Sequence, residues 1–221
     1  MQKEVYKHRL KLAKTGALKF ISHLDWQGLI LKVFRRCELD LVLSEGFNKM
    51  PKVSYSPALP IFIESLCELV NFQTYNKLDD DFIEKFKKNS PNGIEIVELK
   101  PQKENEKSLE NYCQWALYNA QIKKSIYNSD EIRYIINTCL SSDEILVEKK
   151  TKKGIIKKVN YRNSLKTFEF KDDGLLSFIL KTGQSDVIPA LRADEFLRLQ
   201  IKDTDFSIKR MDFFDFDMRV I

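Results

Sequence analysis

L-S-E-G-F-N-K-M-P-K-V-S-Y-S-P-A-L-P, residues 43–60, is the stretch on which the fold of this 221-residue chain turns. It holds three of the chain's six prolines, one Gly, one Asn, two Lys and three Ser. Gly46-Phe47-Asn48 reads as a turn, because Gly and Asn tolerate the backbone angles that turns need. Residues 52–56 read as a short extended piece with Val53 and Tyr55 on one face, since side chains alternate along a strand. Pro57 and Pro60 then bracket Ala58-Leu59. The stretch carries no nucleophile–base pair and no metal-ligand set, so its residues point to contact rather than reaction.

Upstream, Tyr6, His8, Leu10 and Leu12 alternate with Lys7, Arg9 and Lys11. That pattern predicts a strand over 6–13 with one basic face and His8 turned inward. Ser22 and Asp25 form an S-x-x-D capping pattern ahead of an apolar run. Trp26, Leu29, Ile30, Val33, Phe34 and Cys37 then fall on one face of a helix over about 23–37. Arg35 and Arg36 sit in its last turn, where cations complement the helix dipole. Residues 39–43 read as a short strand. Downstream, 61–75 reads as a long strand and 79–88 as a helix opened by Asp79-Asp80-Asp81. Pro91-Asn92-Gly93 stops that helix before a strand at 94–99. The order is β-α-β-β-α-β, the ferredoxin-like pattern, with 43–60 as its β-to-β connection.

Residues 101–110, PQKENEKSLE, are almost free of apolar side chains and read as a linker. It separates a first unit, 1–100, from a second, 111–221. The second unit reads as a strand at 112–123, a helix over 129–140, and strands at 144–150 and 155–159 joined by a lysine-rich turn at 151–154. A hairpin of 167–170 with 175–181 follows, around a D-D-G turn. A helix at 189–199 and a closing strand at 206–216 complete it. The expected fold class is α+β: two packed ferredoxin-like units, the second with an inserted basic hairpin arm at 150–171.

Charge is unevenly placed. Residues 1–56 hold eleven Lys/Arg against five Asp/Glu, and 148–171 hold nine against two, within a net charge of only +5. Two basic blocks on an otherwise acidic chain suggest a polyanionic partner. No run of about eighteen apolar residues is present and the first ten residues lack an apolar signal core, so the expectation is a cytoplasmic protein with no membrane partner. Cys37, Cys67, Cys113 and Cys139 are far apart and form no C-x-x-C pair, so no zinc or iron–sulfur set is expected, and no cofactor. No phosphate-binding glycine loop occurs.

A sheet face with aromatics and cations suits single-stranded RNA, which stacks its bases and pairs its phosphates. The candidate contacts are Lys7, Arg9, Lys11, Ser22, His23, Arg35, Arg36, Phe47, Asn48, Lys52 and Ser54. No catalytic residue and no metal ligand is assigned. His23, in the first turn of its helix, is placed either to meet a phosphate or to pack on its neighbours.

F-I-S-H-L-D at 20–25, R-R at 35–36 and S-E-G-F-N-K-M-P-K-V-S-Y-S-P-A-L-P at 44–60, followed by Glu64-Ser65, resemble the DUF2344 family of radical-SAM-associated proteins. R-A-D-E-F-L at 192–197 resembles a segment near that family's C-terminus. Four departures stand out. Glu45 replaces the family's Gln. Lys49-Met50 replaces the family's Pro-His, which removes a histidine that could have acted as ligand or base. Phe62 stands where the family tends to have Gly, and Ala193 replaces a Pro. The resemblance implies a free-standing partner of a radical SAM protein, with an RNA or ribosome context. Together these readings predict a non-catalytic accessory of a radical SAM enzyme that binds RNA or a ribosome-related substrate. The alternatives are a pure protein-interaction subunit and a metal-independent RNA-processing enzyme.

Overall fold

The computed structural model describes residues 4–102, 108–150, 154–171, 173–183, 185 and 187–221. The protein is a mixed α+β chain whose strands pair antiparallel, and it divides into two compact units after Tyr112. Of the expected linker 101–110, residues 103–107 lie outside the described residues. Leu109–Tyr112 forms a short helix.

In the first unit the elements run β1 (Tyr6–Lys14), α1 (His23–Arg36), β2 (Val53–Tyr55), β3 (Glu64–Thr74), α2 (Phe82–Asn89) and β4 (Ile94–Pro101), before the short helix α3 (Leu109–Tyr112). The strands lie in the order β4-β1-β3-β2. Leu10, Leu12, Val70 and Phe72 from the sheet meet Trp26, Ile30, Val33 and Phe34 of α1 and Phe82 and Phe86 of α2 in one core. The spacing within α1 made this legible: these residues recur every three or four positions. Ser22 caps α1 by accepting from the Asp25 amide at 3.1 Å, which satisfies a backbone donor that the helix itself cannot.

Three boundaries differ from expectation. The helix read over 79–88 begins at Phe82, so Asp79-Asp80-Asp81 precede its first turn. Residues 39–43 form no ladder; Leu41 bridges Thr74 and Leu43 bridges Pro51 as isolated pairs. Glu38 takes a positive φ of 58° just ahead of this stretch, and only a short contact with the end of β3 follows, in which the Val42 amide donates to the Gln73 carbonyl and the Tyr75 amide to the Asp40 carbonyl, each at 2.9 Å. The long strand expected at 61–75 begins only at Glu64, because Phe62 takes a φ of 75°. Gly93 is required: at φ 95° an added Cβ would lie 2.4 Å from the Thr15 carbonyl oxygen, whose residue pairs with it.

His8 lies half-buried against Phe72, ring centroids 4.9 Å apart, with Nε2 2.9 Å from Thr74 Oγ1. Thr74 donates its own hydrogen to the Asn76 carbonyl at 2.6 Å, so it accepts from His8, and the neutral ring carries its proton on Nε2. Burial lowers the His8 pKa from its usual 6.5. The unfolded chain therefore binds this proton more readily than the folded one. Stability should fall as pH drops from about 6.5 through the lower native value and then level off. Urea titrations between pH 7 and 5 should show that slope in the wild type and a flatter profile in His8→Phe.

In the second unit the order is β5 (Trp115–Lys124), α4 (Ser129–Ser141), β6 (Leu146–Lys150), β7 (Ile156–Asn160), β8 (Leu165–Phe170), β9 (Leu175–Lys181), α5 (Ala193–Gln200) and β10 (Asp205–Phe214). Its main sheet runs β10-β5-β9-β8, while β6 and β7 form a separate two-stranded ribbon. The inserted arm is thus shorter than the expected 150–171. Residues 165–170 pair with β9 in the sheet, because Leu165 and Phe168 are buried there. The turn at 151–153 lies outside the described residues. Phe168, Phe178 and Phe196 pack at 5.0–5.9 Å between the sheet and α5. Asn128 and Glu131 form a reciprocal capping box at the start of α4, which begins at Ser129 as expected.

Candidate functional site

The candidate contacts separate into four places within the first unit. Lys7, Arg9 and Lys11 alternate with core-facing Leu10 and Leu12, so they occupy the sheet face away from the helices. Arg9 is not exposed: it is 2% accessible, its Nε donates to Asn71 Oδ1 at 2.8 Å, and its guanidinium lies 5.2 Å from the Tyr112 ring centre. Register explains this, since Arg9 pairs with Asn71 on β3. Ser54 pairs with the same Asn71 from β2 and remains exposed. Lys7 and Lys11 are half-buried, and Lys52 is exposed just ahead of β2.

Phe47 and Asn48 occupy the tip of a loop closed by Ser44 and Met50, whose backbones and the Ser44 hydroxyl bond at 2.8 and 3.0 Å. Phe47 is fully exposed and Met50 is 61% exposed. Arg35 and Arg36 are exposed at the C-terminus of α1. Ser22 and His23 are at its other end, about 20 Å away at 1.5 Å per residue. No single site unites these residues.

The corner at the start of α1 is the most developed of these surfaces. A single helical turn over Gly16–Phe20 leads into the Ser22 cap. The Ser22 hydroxyl donates to Asp25 Oδ2 at 2.6 Å. Gln27 Nε2 lies 2.9 Å from His23 Nε2; an amide nitrogen only donates, so this ring nitrogen accepts and the neutral ring is protonated on Nδ1. Tyr55 packs edge-on to His23 and donates its hydroxyl to the Gln27 carbonyl at 3.2 Å. Burial pushes the Tyr55 phenol far above its ordinary range, so it stays protonated.

Around this polar centre stands an exposed apolar rim that follows no helical or strand period in the sequence. Phe20 and Phe62 meet edge to face at 5.6 Å and are 55% and 69% exposed. Leu24 is 76% exposed, and Lys19 Nζ lies 5.4 Å from the Phe20 ring centre. The Phe62 amide donates to the Lys19 carbonyl at 2.8 Å, which ties the two segments together. A non-glycine residue in the left-handed region costs on the order of 1–2 kcal/mol. The turn therefore keeps a glycine-like backbone while presenting an aromatic ring. The available signal was Phe62 itself, at a position where the resembled family tends to have Gly.

Buried thiols do not extend this chemistry. All four cysteines are free and buried, and burial raises the pKa of Cys37 and Cys139, which keeps them as thiols rather than nucleophilic thiolates. Among the described residues no helix is long and apolar enough to cross a membrane.

We found no curated protein that matches the chain. A solved structure similar to it is a chain of the "Crystal Structure of a Cbf5-Nop10-Gar1 Complex". The two share 10% identity with a TM-score of 0.46, over 98% of this chain and 60% of that one. A protein family described as "Uncharacterized protein conserved in bacteria" matches residues 7–189, which include α1, the loop at 44–50 and the corner built around Phe62. The chain belongs to that family, DUF2344.

Proposed function

We propose that the protein is a non-catalytic accessory that binds single-stranded RNA, or a ribosome-related substrate, for a radical SAM partner. The observation that carries the RNA reading is the Phe20–Phe62 pair beside Lys19 and the start of α1. Exposed aromatic faces stack bases without regard to sequence, and an adjacent ammonium meets a phosphate. Ser22 and His23 add polar contacts, and the Phe47–Asn48 tip with Lys52 offers a second. Asp25 and Glu64 lie at the same corner, so stacking rather than net charge supplies the affinity there. The radical SAM partnership rests on the family resemblance. We also read each unit as ferredoxin-like: taking β5, β8, β9 and β10 as its four strands, the second unit shares the strand order 4-1-3-2 with the first, which supports that reading.

Binding of a labelled single-stranded RNA, followed by fluorescence anisotropy, tests the proposal. Phe20→Ala and Phe62→Gly should each weaken affinity about fivefold or more, since a stacked base is worth about 1–3 kcal/mol. Phe62→Gly relieves the positive φ and so should fold at least as well as the wild type. Unchanged affinity in both variants would overturn the RNA reading at this corner.

The exposed aliphatic side chain of Leu24, which cannot stack a base, favours a second reading in which the same corner docks a protein. In that case the wild type would bind no RNA, and Leu24→Asp would abolish capture of the cognate radical SAM protein.

A further inference from the structure

We infer that the β6–β7 ribbon and the adjoining face of α5 form a second contact for the phosphodiester backbone of a nucleic acid strand; this rests on the RNA reading above but uses a different unit and different residues. The basic block at 148–171 is not uniformly available. Arg162 gives its guanidinium to three backbone carbonyls, and Lys166 lies 4.5 Å from the Trp115 ring centre. The ribbon lysines are different. Lys157 and Lys158 are exposed, and the register sets Lys149 directly opposite Lys157.

Like charges facing each other across a strand pair destabilise it. Lys149 is partly offset by Glu195 of α5 at 3.5 Å and by the Tyr161 ring at 4.8 Å. Lys158 faces Glu148, at 4.0 Å, on the opposite side of the ribbon. The Lys149–Glu195 contact brings this ribbon face to the edge of a groove of about 490 Å³ lined by Arg192, Asp194, Glu195, Arg198 and Leu199. Asp194 is engaged by Arg192 in a two-pronged pair at 2.9 and 3.1 Å, and Arg198 is exposed. Two lysines and an arginine thus line one side-by-side surface whose carboxylates already have partners. A phosphate between Lys149 and Lys157 would turn their mutual repulsion into attraction.

The test uses the full chain and a labelled single-stranded RNA, titrated from 50 to 200 mM salt. Lys149→Glu/Lys157→Glu should weaken binding about 10–30-fold near 0.1 M salt and flatten the salt slope by about 1.4, as loss of two phosphate contacts requires. The control carries the same charge change on α2, Lys87→Glu/Lys88→Glu, and should stay within about twofold because neither lysine is among the proposed contacts. RNA binding by the wild type that the ribbon variant leaves unchanged overturns this inference and spares the RNA reading. Failure of the wild type to bind RNA overturns the RNA reading, and elution from heparin then decides the ribbon. Earlier elution of the ribbon variant than of the α2 variant keeps the site as a polyanion contact; equal elution overturns it.

Discussion

Phe72→Ala should lower the unfolding free energy of the first unit by about 3–5 kcal/mol. Phe72 is fully buried near the C-terminal end of β3, and its ring lies 4.6 Å from Phe34, 4.9 Å from His8 and 6.4 Å from Phe82. Truncation removes the transfer free energy of the ring and leaves a cavity that α1, α2 and the sheet cannot all close upon. The chain has two tryptophans, so Trp26 fluorescence in a Trp115→Phe background reports this unit in a urea titration. Phe72→Leu keeps most of the volume and should cost less than half as much. A loss below about 1 kcal/mol for Phe72→Ala would show that the core is not organised around this ring.

Arg162→Ala should cost the second unit about 2–4 kcal/mol, because hydrogen bonds to a charged group are worth about 1.5–3 kcal/mol and their part-buried acceptors would lose a partner. The guanidinium donates to the carbonyls of Leu140 and Ser142 at 3.0 Å and of Leu165 at 3.3 Å. The first two belong to the C-terminal end of α4, where a helix leaves its last carbonyls unsatisfied. The third opens β8, so one side chain joins the end of α4 to the start of a sheet strand across the ribbon insertion. Hydrogen exchange over α4 and β8 should accelerate in the variant. Arg162→Lys should recover only part of the loss, since a single ammonium cannot span three carbonyls in a planar fork. Full recovery by Lys would show that charge alone, not the fork, holds this junction.

The contrast between Arg162 and Lys157 shows how far the sequence can be read. Both count equally in the +7 of the 148–171 block. Only the tertiary fold directs one into backbone carbonyls and leaves the other on a ribbon face. Arg9 gives the same lesson in the first unit. Alternation correctly placed it opposite Leu10 and Leu12, but alternation says nothing about whether the far face is open. Pairing with Asn71 and cover by Tyr112 close it, and both partners are remote in sequence.

What the sequence determined by itself was local: the amphipathic period and Ser22 cap of α1, the strand alternation of β1, and the turn character of residues 43–60. These depend on neighbours within four or five positions, where backbone geometry fixes which side chains share a face. The stretch at 43–60 was legible as a connection, but not as two separate surfaces. Its loop at 44–50 closes on itself at one end of the unit, while Tyr55 reaches His23 and Gln27 at the other. Only the tertiary structure decided that, and only it joined Phe20 to Phe62 across forty-two positions. An exposed contact between distant turns has no periodicity to announce it; it exists because a hydrogen bond from the Phe62 amide to the Lys19 carbonyl holds the two turns together.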